Sequence, residues 1–270
     1  MPNNQFAVVL ATFGTLCDQD AAVLASMQET LRQQYPDADV LLAAEAVSGT
    51  EGASRTKRAA DALGQTLAKL AANGYTHVAV QSLHVVPGLE FDALRDAAQS
   101  FALASGEKMQ VCTSHPLIHD EASANQVAKS LIRDLPPERQ ADDAVVFVGH
   151  GSKHPAGAQA YARLQTCLQQ RDTSLFAGTL TDRDADNILT KLQTKGIRNV
   201  WLAPLLAWSG SHMRRDIFGG KGSWQKRFEA GGFMCIPLEK PLSAWPGVAA
   251  IWLENVATCL NALKKASPGD

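Results

Sequence analysis

Residues Val145–Gly157 read VVFVGHGSKHPAG. The apolar run Ala144–Val148 is short enough for a buried strand, and it ends in a Gly-His-Gly turn. Pro155, after His154, stands where a helix is free to begin, and a pattern of helical period follows over Ala158–Gln170. Strand, tight turn and helix make up the repeating unit of a parallel sheet. An altered copy of this stretch lies in the first half of the chain, where VVLATFGT (Val8–Thr15) matches VVFVGHGS (Val145–Ser152) at an offset of 137.

A second match extends the repeat. LAKLAANGYTHVAVQSLHVVPGLE (Leu67–Glu90) aligns with LTKLQTKGIRNVWLAPLLAWSGSH (Leu189–His212) at an offset of 122, with Leu67, Lys69, Leu70, Gly74, Val78 and Gly88 facing identical residues. The offsets differ by 15, and Val47–Arg55 (VSGTEGASR) is the natural place for the extra residues of the first half. Short apolar runs predict strands at Phe6–Phe13, Asp39–Ala46, His77–Leu83, Met109–Thr113, Ala144–Val148, Leu175–Thr179, Val200–Leu205 and Phe233–Ile236. Helical patterns cover Ala21–Gln34, Thr56–Asn73, Glu121–Leu135, Ala158–Gln170, Asp184–Lys195 and Val248–Lys265. The polar, proline-bearing segment Pro136–Asp143 divides the chain, giving an N-terminal α/β lobe over residues 1–140 and a C-terminal lobe over 141–270 with a long terminal helix. A repeat of this length implies two similar lobes rather than a solenoid.

At 270 residues, 46% hydrophobic, the chain can bury substantial cores. A net charge of −2 gives no general attraction to nucleic acid or anionic membrane, so positive charge has to be supplied locally. The five cysteines are scattered and form no CxxC, against both a disulfide framework and a thiolate zinc site. The N-terminus lacks the basic region of a secretion signal and no apolar stretch is long enough to span a bilayer, so a reducing, cytoplasmic setting is expected.

The two copies differ most informatively where Phe13 faces His150 and Glu90 faces His212. These positions follow strand ends, the places where open parallel sheets bind ligands. If the lobes face one another, two imidazoles and a carboxylate converge on a cleft with Phe13 as an apolar wall, a set suited to a borderline divalent metal and to proton transfer near pH 7. Other histidines have plainer readings. His84, aligned with Leu206, suits either a buried hydrogen-bonded role or a ligand contact; His154 suits a helix N-terminus or a substrate contact; His77 is expected at the surface. His115 and His119 have the spacing of a helical metal pair, but Pro116 disfavours that geometry. Ser152 lacks the GxSxG order of a hydrolase nucleophile, and neither GxGxxG nor GxxxxGK[ST] occurs at the first strand turn. The five tryptophans read as packing residues, with Trp208 the one that could border a planar ligand.

QSLHVVPGLEF, VVFVGHGSKHPAG and LAPLLAWSGSHMRRDIFGGKGSWQKRFEAGG, in this order and spacing, resemble the anaerobic cobalt chelatases of the CbiK type, the sirohydrochlorin cobaltochelatases, within the class II chelatase group that includes ferrochelatase. The resemblance runs over nearly the whole chain. It implies an α/β fold of two Rossmann-like lobes, parallel sheets flanked by helices, with the active-site cleft between them. It implies insertion of Co²⁺ into sirohydrochlorin on the way to cobalamin, with Co²⁺ as substrate metal, Fe²⁺ or Ni²⁺ as alternatives, and no organic cofactor. His150, Glu90 and His212 match the family's metal-binding and proton-managing positions. A substrate that is planar and polycarboxylate calls for apolar walls and cations at the rim, for which Phe13, His84, Lys153, Arg214 and Arg215 are the candidates. Where relatives often carry a Glu after the strand equivalent to Leu175–Thr179, this chain has Thr181 and Asp182. A non-catalytic tetrapyrrole or cobalt carrier keeps the same cleft without turnover, and a two-lobed periplasmic binding protein is disfavoured by the missing signal. No nucleic acid or membrane partner is expected; the C-terminal helix can pack between lobes or between subunits of a homo-oligomer.

Overall fold

The computed structural model describes residues 5–12, 16–43 and 55–266, apart from the side chains of residues 55, 56 and 107. The first half runs β1 (Phe6–Ala11), α1 (Asp18–Gln34), β2 (Ala38–Ala43), α2 (Arg55–Ala72), β3 (His77–Ser82), α3 (Leu89–Ser105) and β4 (Gln110–Thr113), followed by α4 (Glu121–Arg133). The second runs β5 (Ala144–Gly149), α5 (Pro155–Gln169), β6 (Leu175–Thr179), α6 (Asp182–Thr194), β7 (Asn199–Pro204), α7 (Trp224–Ala230), β8 (Met234–Pro237) and α8 (Pro246–Ala266). Each half forms a parallel four-stranded sheet, ordered β2-β1-β3-β4 and β6-β5-β7-β8. The strand order is the same in both, so the repeat read from the sequence is a repeat of topology. At the offset of 122 the end of α2 and both ends of β3 fall on those of α6 and β7. The matched glycines Gly74 and Gly196, between helix and strand, both take positive φ, 85° and 66°, a conformation open to glycine at little cost.

The strands are apolar because both faces are covered. Every residue of β3 and β5 is buried, as a parallel sheet between helices requires. One core joins Val9, Val78 and Val80 to Leu63 and Leu67 of α2 and Leu94 of α3. The other joins Val146, Val148, Phe176 and Leu202 to Ile188 of α6, Trp224 and Phe228. Each fully buried side chain of this kind contributes roughly 1.5–3 kcal/mol. Gly178 is small because a Cβ there would lie 2.7 Å from the Trp224 ring. All five tryptophans are buried, Trp208 among them, which bears out the packing reading.

The chain forms two compact units, one of Met1–Thr15, Ala21–Pro116 and Ala250–Asp270 and the other of Leu16–Asp20 with Leu117–Ala249. The grouping differs from a division at 140/141 because α4 packs against α5 of the second sheet and because most of α8 belongs to the first unit, where the thiols of Cys259 and Cys112 meet at 2.8 Å. The five cysteines are free. Among the described residues no helix is long and apolar enough to cross a membrane.

Three features were not read from the sequence. Helix α3 follows Gly88, which offers no side-chain cap, so the strongest start signal is missing. Helix α7 is only seven residues long. His77, expected at the surface, is instead buried and stacked on Phe6 with ring centroids 4.8 Å apart, its Nδ1 2.8 Å from Thr76 Oγ1; the apolar face of an imidazole serves as well as an aliphatic side chain in that place. The segment Val47–Arg55 falls almost wholly outside the described residues.

Candidate functional site

The Gly-His-Gly turn at the end of β5 is held from two sides. Gly149 lies against Tyr161 of α5, so closely that a Cβ would come within 2.5 Å of the ring. Gly151 takes φ +80°, and a Cβ there would also press on Thr179 of β6 at 3.1 Å. Burial pushes the Tyr161 pKa up to about 12, against the opposing pull of the neighbouring His150 and Gly151 backbone, so it remains a neutral phenol. Ser152 Oγ accepts from the backbone N–H of His154 at 3.1 Å, a turn contact rather than a nucleophile's arrangement. His154 occupies the N-cap position of α5 and Pro155 the first turn. The His150 side chain is left exposed at the end of an otherwise buried strand.

His212 reaches the same place from the loop after β7. Asp20 is fully buried, and its carboxylate accepts from the Ser209 N–H at 3.0 and 3.1 Å, three residues before His212. The chain then makes a π-turn over Met213–Ile217, closed by Phe218 N–H donating to Met213 O at 3.1 Å. The rings of His150 and His212 meet edge to face, centroids 4.4 Å apart and planes at 90°. His212 Nδ1 lies 2.6 Å from Asp216 Oδ2. Arg215 grips the same carboxylate, Nε to Oδ1 at 2.7 Å and Nη2 to Oδ2 at 3.1 Å. The Arg215 contact, with further help from His212, holds the Asp216 carboxyl below the usual carboxylate range despite partial burial.

The other sequence candidates fall as follows. Glu90 sits in the first turn of α3, just after Gly88, and His212 holds the equivalent place after Gly210. His84 follows β3; its Nδ1 is 2.8 Å from Ser82 Oγ and its ring meets Phe91 edge-on at 6.1 Å. Burial lowers its pKa to about 4. Lys153, Arg214 and Arg215 are exposed, Arg215 while paired with Asp216. Phe13 and Gly14 lie outside the described residues. Thr181 caps α6 through Asp184 N–H, and Asp182 pairs with Arg227, so both are engaged in starting that helix and tying it to α7. His115 and His119 precede α4 in non-helical chain, and His119 Nε2 stands 3.6 Å from Asp120, as Pro116 led us to expect. Asp20, Tyr161 and Asp216 were missed; only Asp216, four residues after His212, carried a spacing that could have revealed it.

The depressed His84 pKa has a measurable consequence. Between pH 6.5 and 4 the unfolded chain holds a proton at this position that the folded protein does not. Stability therefore falls as pH is lowered through that window, by at most roughly 3 kcal/mol for a shift from 6.5 to about 4. His84→Leu, which installs the residue found at the matched position 206, should show a flatter dependence of Tm between pH 6.5 and 4. Parallel profiles for the two proteins would mean that the ring is solvated in the folded state.

Two neutral imidazoles can donate two nitrogens to one divalent ion and leave its other positions open. Among the described residues no group of three or more His, Cys, Asp or Glu side chains is arranged to hold a metal. A pair of donors suits an ion that is to be passed on rather than kept.

The doubled parallel four-stranded sheet flanked by helices is the two-lobe fold of the chelatases. The SirB protein from Bacillus subtilis, solved with Fe³⁺, superposes with a TM-score of 0.65 at 15% identity, covering 98% of this chain and 100% of that one. Residues 6–261 match the cobalt chelatase (CbiK) family, and the chain belongs to it. It is 33% identical to the sirohydrochlorin cobaltochelatase CbiKC of Nitratidesulfovibrio vulgaris Hildenborough, over 97% of this chain and 93% of that protein. It is 32% identical to the sirohydrochlorin cobaltochelatase of Salmonella typhimurium LT2, over 73% of this chain and 74% of the relative.

Proposed function

We propose that this protein is a metal chelatase that inserts Co²⁺ into sirohydrochlorin, releasing two protons, in cobalamin synthesis. Membership of the cobalt chelatase family and the names of both relatives support the substrate and the metal. The single structural observation that carries the reading is the contact between the His150 and His212 rings, two imidazoles fixed by separate turns and 4.4 Å apart. In this reading the two rings turn one nitrogen each toward a shared ion. The ion, a substrate here, moves from these nitrogens to those of the macrocycle, and an imidazole vacated by the metal can accept a pyrrole proton at neutral pH.

Glu90 serves in this reading as the carboxylate that shares the ion or passes protons to solvent. Lys153 and Arg214, exposed near the two histidines in sequence, are the cations for the substrate's carboxylates. His84, neutral above about pH 4, serves in this reading as an uncharged, apolar-faced contact for the substrate, a role the sequence also assigns to Phe13. The same reading places the enzyme in the cytoplasm, where its five thiols stay reduced, and allows it to work as a homo-oligomer.

The test is the visible spectrum of sirohydrochlorin mixed with Co²⁺ and a trace of protein. Many equivalents of cobalt complex per protein molecule are expected. A shift that stops at one equivalent would mark a carrier instead. Running the assay against Fe²⁺ and Ni²⁺ ranks the metals, and faster insertion of either would reassign the metal.

A further inference from the structure

We infer that Asp216 is a positioning residue, whose carboxylate fixes the His212 imidazole in the tautomer that leaves Nε2 as a lone-pair donor, and that Arg215 in turn fixes the carboxylate. The inference rests on the chelatase reading above and adds to it how one of the two imidazoles is made ready for the ion.

A neutral imidazole carries one N–H, and its position decides which nitrogen can bind a metal. An ionised carboxylate only accepts, so at 2.6 Å from Asp216 Oδ2 the proton belongs on His212 Nδ1. Nε2 is then the donor atom. Metal-binding histidines are commonly oriented this way by a carboxylate on the far nitrogen. The carboxylate itself is not left to wander. Arg215 closes on it with two N–H groups, at 2.7 and 3.1 Å, in the fork geometry that arginine alone offers.

The backbone is built to present this set. His212 and Asp216 are four residues apart across the π-turn Met213–Ile217, which places both side chains on one side. Gly219 lets the chain fold back over the turn, since a Cβ there would come within 2.3 Å of Arg215 O and 2.8 Å of Arg214 O. Asp20 secures the incoming loop at Ser209. Arg215, read from sequence as a substrate contact, thus acts within the protein itself. Its fork is committed to the Asp216 carboxylate.

The experiment measures binding of Co²⁺ alone by calorimetry, with steady-state kinetics and long-range ¹⁵N–¹H spectra of the histidines, for wild type, Asp216→Ala, Asp216→Asn, Arg215→Ala and His212→Ala. Asp216→Ala should weaken Co²⁺ binding about 10- to 100-fold and lower kcat, with KM for sirohydrochlorin unchanged. Its His212 signals should move from the Nδ1–H form to a mixture. Asp216→Asn keeps the shape but offers either an acceptor or a donor, so a smaller loss of the same kind is expected; this variant decides the matter if the alanine protein does not fold. Arg215→Ala should follow in the same direction, again with KM for the tetrapyrrole constant. Wild-type Co²⁺ affinity together with an unchanged tautomer in a folded Asp216 variant would overturn the inference, and a raised tetrapyrrole KM with intact Co²⁺ affinity in Arg215→Ala would overturn the part given to Arg215. His212→Ala separates the two levels. If it loses Co²⁺ while the Asp216 variants do not, the positioning role fails and the chelatase reading stands; if it too binds Co²⁺ as the wild type does, the imidazole pair is not the metal site.

Discussion

Replacing His150 and His212 together by alanine is expected to slow Co²⁺ insertion by roughly 100- to 10,000-fold, the range over which removal of a proton-accepting group acts, with the melting temperature little changed. Both rings are at least partly exposed, so neither supports the core, and the turns that carry them are fixed by other groups. Tyr161 and the glycines hold one turn, Asp20 and the π-turn the other. The single variants should each lose most of the activity, because one imidazole can neither chelate the ion nor both release it and take a proton. Uncatalysed metal insertion sets the floor. A double variant that inserts cobalt at the wild-type rate would remove the imidazole pair from the reaction.

The second large effect is on stability. Phe147, in the middle of β5, is completely buried and meets Trp245 edge to face with ring centroids 6.0 Å apart. Phe147→Ala is expected to cost about 3–5 kcal/mol, read as a lower midpoint of denaturant unfolding. The loss arises from the cavity as well as from the lost transfer energy, because Trp245 is also held by its indole N–H to Lys240 O at 3.2 Å and cannot simply collapse inward. Since His150 directly follows β5, the same substitution should lower cobalt insertion as well, and a small added aromatic such as benzene should recover part of both. An unfolding free energy within about 1 kcal/mol of the wild type, an unusually small loss for such a change, would mean that β5 is less closely packed than its burial indicates.

These two substitutions mark what could and could not be read in advance. The strand carrying Phe147 and the turn carrying His150 were legible because a buried parallel strand is apolar without interruption, and because the repeat supplied a second, altered copy for comparison. The paired glycines Gly74 and Gly196 show why that comparison works: the same backbone conformation recurs at matched places and restricts both copies alike. Helix α3 escaped because it begins at a glycine with no side-chain cap, and α7 because seven residues give hardly two turns of periodicity. Boundaries between compact units are set by tertiary packing, which is why a polar, proline-bearing segment suggested 140/141 while the contacts group α4 with the second sheet and most of α8 with the first.

For the proposed site, residue type singled out His150 and His212, since an imidazole aligned with Phe13 or Glu90 is a change of chemistry that packing does not explain. The groups behind them were harder to see. Asp20 lies far away in sequence from the loop it secures, and Tyr161 acts by packing its ring against Gly149, a contact that leaves no mark on residue spacing. Asp216 was within reach, four residues from His212, but the carboxylate stands beside two arginines, and those drew attention toward the substrate's own carboxylates.

The most direct measurement is a crystal of the protein soaked in Co²⁺, with anomalous scattering recorded at the cobalt absorption edge. One peak is expected within about 2.1 Å of an imidazole nitrogen of both His150 and His212, with Asp216 still on Nδ1 of His212. Cobalt bound elsewhere, with the two rings turned away from each other, would contradict a shared ion and the chemistry built on it.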